Sequence, residues 1–233
     1  MPAQPYASPR MELATLYAET RGRLLDLATS TDDERACTPV PALPGWTVKD
    51  AYAHLTGLCA DMLDGRLDGA GTPAWTARQV AERTALKLSD VCAEWAARGP
   101  DLDDRLRAAP EAMMFVGYDV WTHEQDVRGA LGTRGVRDDE RTAFLAGSAV
   151  GTFDDRLRDA GAPAVRVVHS SGERVLGDGA PIATLSTDDY ELLRILFARR
   201  SVTQVRSAGW DGDPTPALSH LHLFALPAVD LVD

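Results

Sequence analysis

The sequence predicts a mainly α protein, a four-helix bundle followed by a smaller α+β domain. Three observations carry this reading. Apolar residues recur at helical spacing in four long stretches ahead of Gly135. One of those stretches, residues 113–132, is apolar on nearly every side of a helical wheel, as a helix in the middle of a core is. After Gly135 the texture changes to short β-rich runs divided by turn residues. The expected organisation is a flexible tail at residues 1–9, the bundle at 10–136 and the α+β domain at 137–233.

The first helix is expected from about Met11 to Ala28, with Leu13, Leu16, Tyr17, Leu24 and Leu27 on one face and Glu12, Glu19, Arg23 and Asp26 on the other. Thr38-Pro39-Val40-Pro41-Ala42-Leu43-Pro44-Gly45 is too rich in proline for regular structure and reads as an extended loop over the core. Thr47 is a natural N-cap, with Asp50 three residues on as an imperfect capping box. The second helix that follows has Val48, Ala51, Leu55, Leu58 and Met62 as its core stripe. Val80, Thr84, Leu88, Val91, Cys92 and Trp95 predict a third helix from Thr76 to Ala97, stopped by Gly99-Pro100. The fourth runs from about Pro110 to Leu131 and closes at Gly132. Beyond it, Asp138 to Ala160 predicts another helix. Val165–Ser170 and Ile182–Ser186 predict strands around a turn-rich 171–179 segment, Asp188 to Arg200 a helix, and Ser201–Arg206 a strand. The charge runs Asp101 to Arg107 and Asp154 to Arg158 read as solvated faces.

Composition narrows the function classes. With 233 residues the chain can bury a sizeable core, and 45% hydrophobic with 25% charged residues describes an ordinary globular protein. Its longest apolar runs fall far short of the ~20 residues that span a bilayer. The proline-rich start lacks the apolar segment of a signal peptide. A net charge of −11 disfavours a broad nucleic-acid or anionic-membrane surface. Cys37, Cys59 and Cys92 are odd in number and lack CxxC spacing, which disfavours a zinc finger or a disulfide framework. A cytoplasmic, reduced protein acting on small molecules, as a monomer or homodimer, is expected.

Within the fourth helix Asp119 and His123 stand at i and i+4, on one face a turn apart. A carboxylate in an apolar helix needs neutralising, by a metal ion shared with His123, by protonation, or by an arginine. His54, beside the core stripe of the second helix, faces the core or its edge and is the third candidate ligand. Two imidazoles and one carboxylate suit catalytic zinc with one position open, and also iron(II) or nickel. Asp126, three residues past His123, is placed to orient that imidazole. His169, His220 and His222 are assigned no role.

Pro44-Gly45-Trp46-Thr47-Val48-Lys49-Asp50, with His54 four residues on, and then Asp119 to Gly132, ending Ala130-Leu131-Gly132, together resemble the mycothiol-dependent maleylpyruvate isomerase family, which belongs to the DinB-like metal-binding bundles. The resemblance implies that the bundle is DinB-like, that His54, Asp119 and His123 occupy its metal-ligand positions, and that mycothiol, a low-molecular-weight thiol of actinobacteria, is the cosubstrate. Asp119 stands where glutamate is common in that family. The activity implied is a transferase or isomerase in which a zinc-bound thiol is deprotonated to a thiolate that attacks a small electrophile. Phe115, Val116 and the Trp46 loop are placed to shape its pocket. A dianionic substrate such as maleylpyruvate calls for an arginine, with Arg166, Arg194, Arg199 and Arg206 as candidates. A metal-binding or regulatory bundle without turnover is the alternative.

Overall fold

The computed structural model describes residues 12–232, so the tail expected at residues 1–9 lies outside the described residues. The chain divides into two compact units, one ending at Arg134 and the other spanning Gly135–Val232. Among the described residues no helix is long and apolar enough to cross a membrane.

The first unit holds α1 (Leu13–Thr29), a short α2 (Asp33–Ala36), α3 (Val48–Asp64), α4 (Pro73–Ala81), α5 (Leu88–Ala108) and α6 (Met114–Leu131). The bundle is built by α1, α3, α5 and α6: α1 packs on α5 and α6, and α3 packs on the same two helices from its own side. Its interior holds the expected apolar positions Leu13, Leu16, Leu24, Leu55 and Trp95, joined by Leu102, Val116 and Val120, all essentially inaccessible. Two of its buried rings are tied by hydrogen bonds. Trp95 Nε1 donates to Tyr17 Oη at 2.7 Å, and Tyr52 Oη donates to the Leu24 carbonyl at 2.7 Å.

Three expectations are corrected in this unit. The single helix from Thr76 to Ala97 is two helices, because the turn at 82–87 is held by other elements. Lys49 Nζ donates to the Thr84 and Leu86 carbonyls at 2.8 and 3.2 Å, and Arg83 pairs with Glu94 across the break. Gly99-Pro100 does not stop the third long helix, since α5 continues through Pro100 to Ala108. The lost backbone donor is outweighed by tertiary packing: Leu102 and Leu106 are buried, and Arg21 holds Asp103 through two bonds of 2.7 and 2.8 Å. A Cβ at position 99 would lie 2.4 Å from the Arg21 guanidinium, so glycine there admits the arginine rather than ending the helix. The run from Asp101 to Arg107 is therefore not a purely solvated face. The fourth helix begins at Met114, after a 3-10 turn at Glu111–Met113.

The second unit contains α7 (Glu140–Asp159), β1 (Pro163–His169), β2 (Gly172–Leu176), β3 (Asp178–Ser186), α8 (Asp189–Leu196), α9 (Val202–Arg206) and β4 (Trp210–Gly212). The sheet order is β2-β1-β3-β4. Strand β1 pairs antiparallel with β2 and parallel with β3, placing Val165 beside both Leu176 and Ala183. These three residues and Leu185 are buried, and α7 packs on β2 and α8. Ser201–Arg206 forms α9 rather than a strand. Ser201 is its N-cap, and Gln204 completes a capping box that overrides the β-branched pattern. The run from Asp154 to Arg158 is also corrected: Asp154 is buried and accepts bonds from Arg158, Arg174 and the Gly177 N–H.

Candidate metal centre

The site starts with the proline-rich loop. Val40 N–H donates to the Trp46 carbonyl, Trp46 N–H to that of Leu43 and Val48 N–H to that of Thr38, each at 2.9 Å, closing the chain on itself. Gly45 sits at φ +86°, where a side chain would be strained, so the Pro-Gly pair turns the chain ahead of Trp46. The capping box expected to be imperfect is complete. Asp50 N–H donates to Thr47 Oγ1, and Thr47 N–H donates to Asp50 Oδ2 at 2.8 Å. The entry of α3 is thereby fixed, with Trp46 at its mouth.

Helices α3 and α6 bring the three expected residues together. One donor atom from each of His54, Asp119 and His123 lies within 4.8 Å of the others. His54 Nε2 is 3.3 Å from Asp119 Oδ2, and His123 Nε2 is 3.5 Å from Asp119 Oδ1. The imidazoles are roughly perpendicular, with centroids 5.1 Å apart, and the Trp46 ring stands 5.3 Å from His54 and 6.3 Å from His123. Both histidine side chains are nearly inaccessible, whereas Asp119 keeps 26% of its side-chain surface exposed. The cluster therefore lies at the margin of the bundle rather than in the middle of its core, and its carboxylate marks the approach. Phe115, one turn before Asp119 on α6, is 44% exposed, but Val116 belongs to the core and is not a pocket wall.

The far side of each imidazole is occupied. His123 Nδ1 lies 3.1 Å from Asp126 Oδ2, as expected, and His54 Nδ1 lies 2.7 Å from Gln79 Oε1. Each acceptor draws the proton to Nδ1 and leaves an Nε2 lone pair facing Asp119. Oδ2 of Asp119 is buried and accepts no hydrogen bond. Three groups that can each offer an electron pair thus converge, an arrangement that a metal ion, or a proton on an imidazole, would neutralise. Ligand atoms bound about 2.1 Å from a tetrahedral zinc lie about 3.4 Å apart, close to the two separations measured here. The residues fit a divalent metal of the zinc, iron(II) or nickel kind.

Without a metal, a proton does the neutralising. Burial opposes the His123 charge, but Asp119 and Asp126 override it and push the imidazole up to about 9. Burial likewise opposes ionisation of Asp119, yet the two imidazoles hold its carboxyl far below the usual carboxylate range.

Sequence reasoning missed Gln79 because it lies on α4, the helix expected to be continuous with α5. The available signal was Gly57 one turn after His54. A Cβ there would lie 2.5 Å from Gln79 Cβ, so the glycine marks where another element presses onto α3. Of the second unit's arginines, Arg194 is wholly buried, Arg199 donates to the Phe197 carbonyl, Arg166 pairs with Glu173, and Arg206 is exposed at the end of α9.

Residues 17–140 match the family described as the mycothiol maleylpyruvate isomerase N-terminal domain. A crystal structure of the mycothiol-dependent maleylpyruvate isomerase is similar in fold, with a TM-score of 0.58 at 16% identity, covering 82% of this chain and 92% of that one. A mutant form of that enzyme matches at TM-score 0.57 and 15% identity, with the same coverage. No curated protein matches the chain. The bundle with its α+β partner is thus the DinB-like isomerase fold.

Proposed function

This chain belongs to the mycothiol maleylpyruvate isomerase family, and from that premise we propose that it is a zinc-dependent thiol transferase or isomerase using mycothiol against a small electrophile. The observation that supports this most directly is the convergence of His54, Asp119 and His123 on one unshared point, with Asp119 reaching the surface. A zinc ion held by these three residues leaves a position for the cosubstrate's sulfur and lowers its pKa, so that the thiol is ionised at neutral pH.

The chain's own residues prepare that position. Asp126 and Gln79 keep the Nε2 lone pairs of His123 and His54 directed inward. Asp119 supplies the negative charge that offsets a divalent cation. Trp46 stands beside both imidazoles. Burial pushes Cys59 up to about 11 and Cys92 up to about 12, so both of these thiols stay protonated at neutral pH. An ionised thiol that adds to a conjugated cis double bond turns it into a single bond; rotation and loss of the thiol return the trans isomer without consuming it. Epoxides, halides and activated alkenes are the other electrophile classes. Metal chemistry is assigned to residues 10–136, in a cytoplasmic protein.

The test is purified protein with mycothiol, Zn²⁺ and a panel containing maleylpyruvate, an epoxide, a halide and an activated alkene. Turnover of at least one substrate well above that of His123→Ala is expected. Equal rates for the two proteins on every substrate contradict the proposal.

A further inference from the structure

The carboxamide of Gln79 has two ends, and its surroundings dictate which end meets His54. Its Nε2 donates to Asp61 Oδ2 at 2.7 Å. Asp61 is wholly buried and, as a carboxylate, only accepts. It is held in place by Arg78, at 2.7 Å, and by Arg66, at 2.9 Å. With the amide nitrogen committed to Asp61, the oxygen must face His54 Nδ1, which it does at 2.7 Å. An acceptor at that distance requires a proton on Nδ1, so Nε2 is the nitrogen with the lone pair.

The three groups that hold Gln79 share one face of α3. His54, Gly57 and Asp61 follow at helical steps of three and four residues, with the glycine in the middle. Gln79, fully buried, lies across Gly57 so closely that any side chain there would displace it. The cradle thus consists of a histidine at one end, a carboxylate at the other and a gap between them shaped for the glutamine stem.

We propose that Gln79 is a positioning residue, oriented by Asp61 and seated by Gly57, that fixes the tautomer of His54 and so its ability to bind a metal through Nε2. This rests on the metal-binding reading above. It predicts a polarity relay running from the arginines Arg66 and Arg78, through one carboxylate and one amide, to a metal ligand. His123 takes its orientation from a carboxylate on its own helix; His54 depends on a neutral amide brought by a separate one.

The test uses the intact chain with ¹⁵N-labelled histidine, observed by NMR without metal and after addition of Zn²⁺, together with calorimetric Zn²⁺ affinities. In the wild type a slowly exchanging His54 Nδ1–H signal is expected in both states. Gln79→Met, which keeps the stem and removes both polar ends, is expected to lose that signal and weaken Zn²⁺ binding about 10–100-fold. Gly57→Ala keeps every polar atom and favours the helix, and is expected to act in the same direction. A metal-free wild type whose His54 proton sits only on Nε2 overturns the assignment without any variant. So does either folded variant that retains the signal and binds Zn²⁺ with unchanged affinity. If the wild type binds no Zn²⁺, the functional proposal fails, while the metal-free Nδ1–H signal still decides the role of Gln79.

Discussion

Each unit sets an aspartate among cationic or titratable partners, one buried and one reaching the surface, and the two are built to opposite ends. Asp154, in the second unit, is saturated: Arg158 reaches one oxygen at 2.7 Å, Arg174 the other at 2.7 Å, and the Gly177 amide adds a third bond at 3.0 Å. Asp119, in the first, has two imidazoles around it whose hydrogens are drawn elsewhere, and one of its oxygens has no donor at all. A carboxylate surrounded by donors is a structural joint. One set among other acceptors has the chemistry of a cation site, which is the reading proposed here. The same contrast holds between the two buried histidine–aspartate clusters. His169 Nδ1 meets Asp189 Oδ1, which also accepts from the Ser171 amide, and no second imidazole or further carboxylate joins them in a metal-sized group among the described residues.

Substitution separates the two kinds most sharply. His123→Ala removes one of three ligands and should weaken Zn²⁺ binding by more than about 100-fold, beyond the range usual for an outer-sphere partner. Calorimetry of metal binding is the measurement. Asp154→Ala should leave Zn²⁺ affinity within about twofold but lower stability by about 2–3 kcal/mol, because Gly177 and two arginines lose their acceptor while the arginines keep partial access to water. Denaturant titration of both variants tests the contrast, and it fails if Asp154→Ala loses the metal as completely as His123→Ala.

The two clusters should also respond to pH in opposite windows. The Asp154 carboxyl is opposed by burial yet held at about 2 by Arg158, Arg174 and Gly177. With an unfolded value of about 3.9, its contribution is complete above about pH 4 and is lost as pH falls through 2. His123 in the metal-free protein titrates at about 9. Against an unfolded value of about 6.5, its pairing contributes fully below that pH and is lost as pH rises through 9. Metal must displace this proton, so binding near pH 7.5 should release about one proton per ion. Calorimetry in buffers of different ionisation enthalpy measures it, and binding without proton release counts against a protonated His123–Asp119 pair. The smallest effect expected is that of the thiols. Cys59→Ala and Cys92→Ala should each keep turnover within about twofold, at a stability cost of about 1 kcal/mol for the wholly buried Cys59. A tenfold loss in either would return the nucleophile to the protein.

Much of the bundle was legible because its information is local. The spacing of Asp119 and His123 on α6 and the Thr47–Asp50 box at the start of α3 are read within one or two turns of chain. His54 was legible through the Pro-Gly-Trp turn that delivers it. What was hidden depends on residues distant in sequence. Nothing between Glu82 and Lys87 is a strong helix breaker, yet Lys49 and Glu94 hold a turn there and split the helix, bringing Gln79 to the site. Gly99-Pro100 carries the opposite lesson, since Arg21–Asp103 and two buried leucines carry α5 through a local stop signal. The arginines of the second unit illustrate the same limit: Arg194 and Arg166 looked alike in sequence, but one is wholly buried and the other is paired on an exposed strand position.

The central claim is that His54, Asp119 and His123 form one metal site, and metal content measures it most directly. The wild type, stripped and reconstituted in turn with Zn²⁺, iron(II) and nickel(II), should retain about one zinc per chain after dialysis, as a three-ligand site with an open position does. His54→Ala, Asp119→Ala and His123→Ala should each retain almost none, while Asp154→Ala retains the wild-type amount. A wild type that keeps none of the three metals, or an Asp119→Ala protein that keeps a full equivalent, contradicts it.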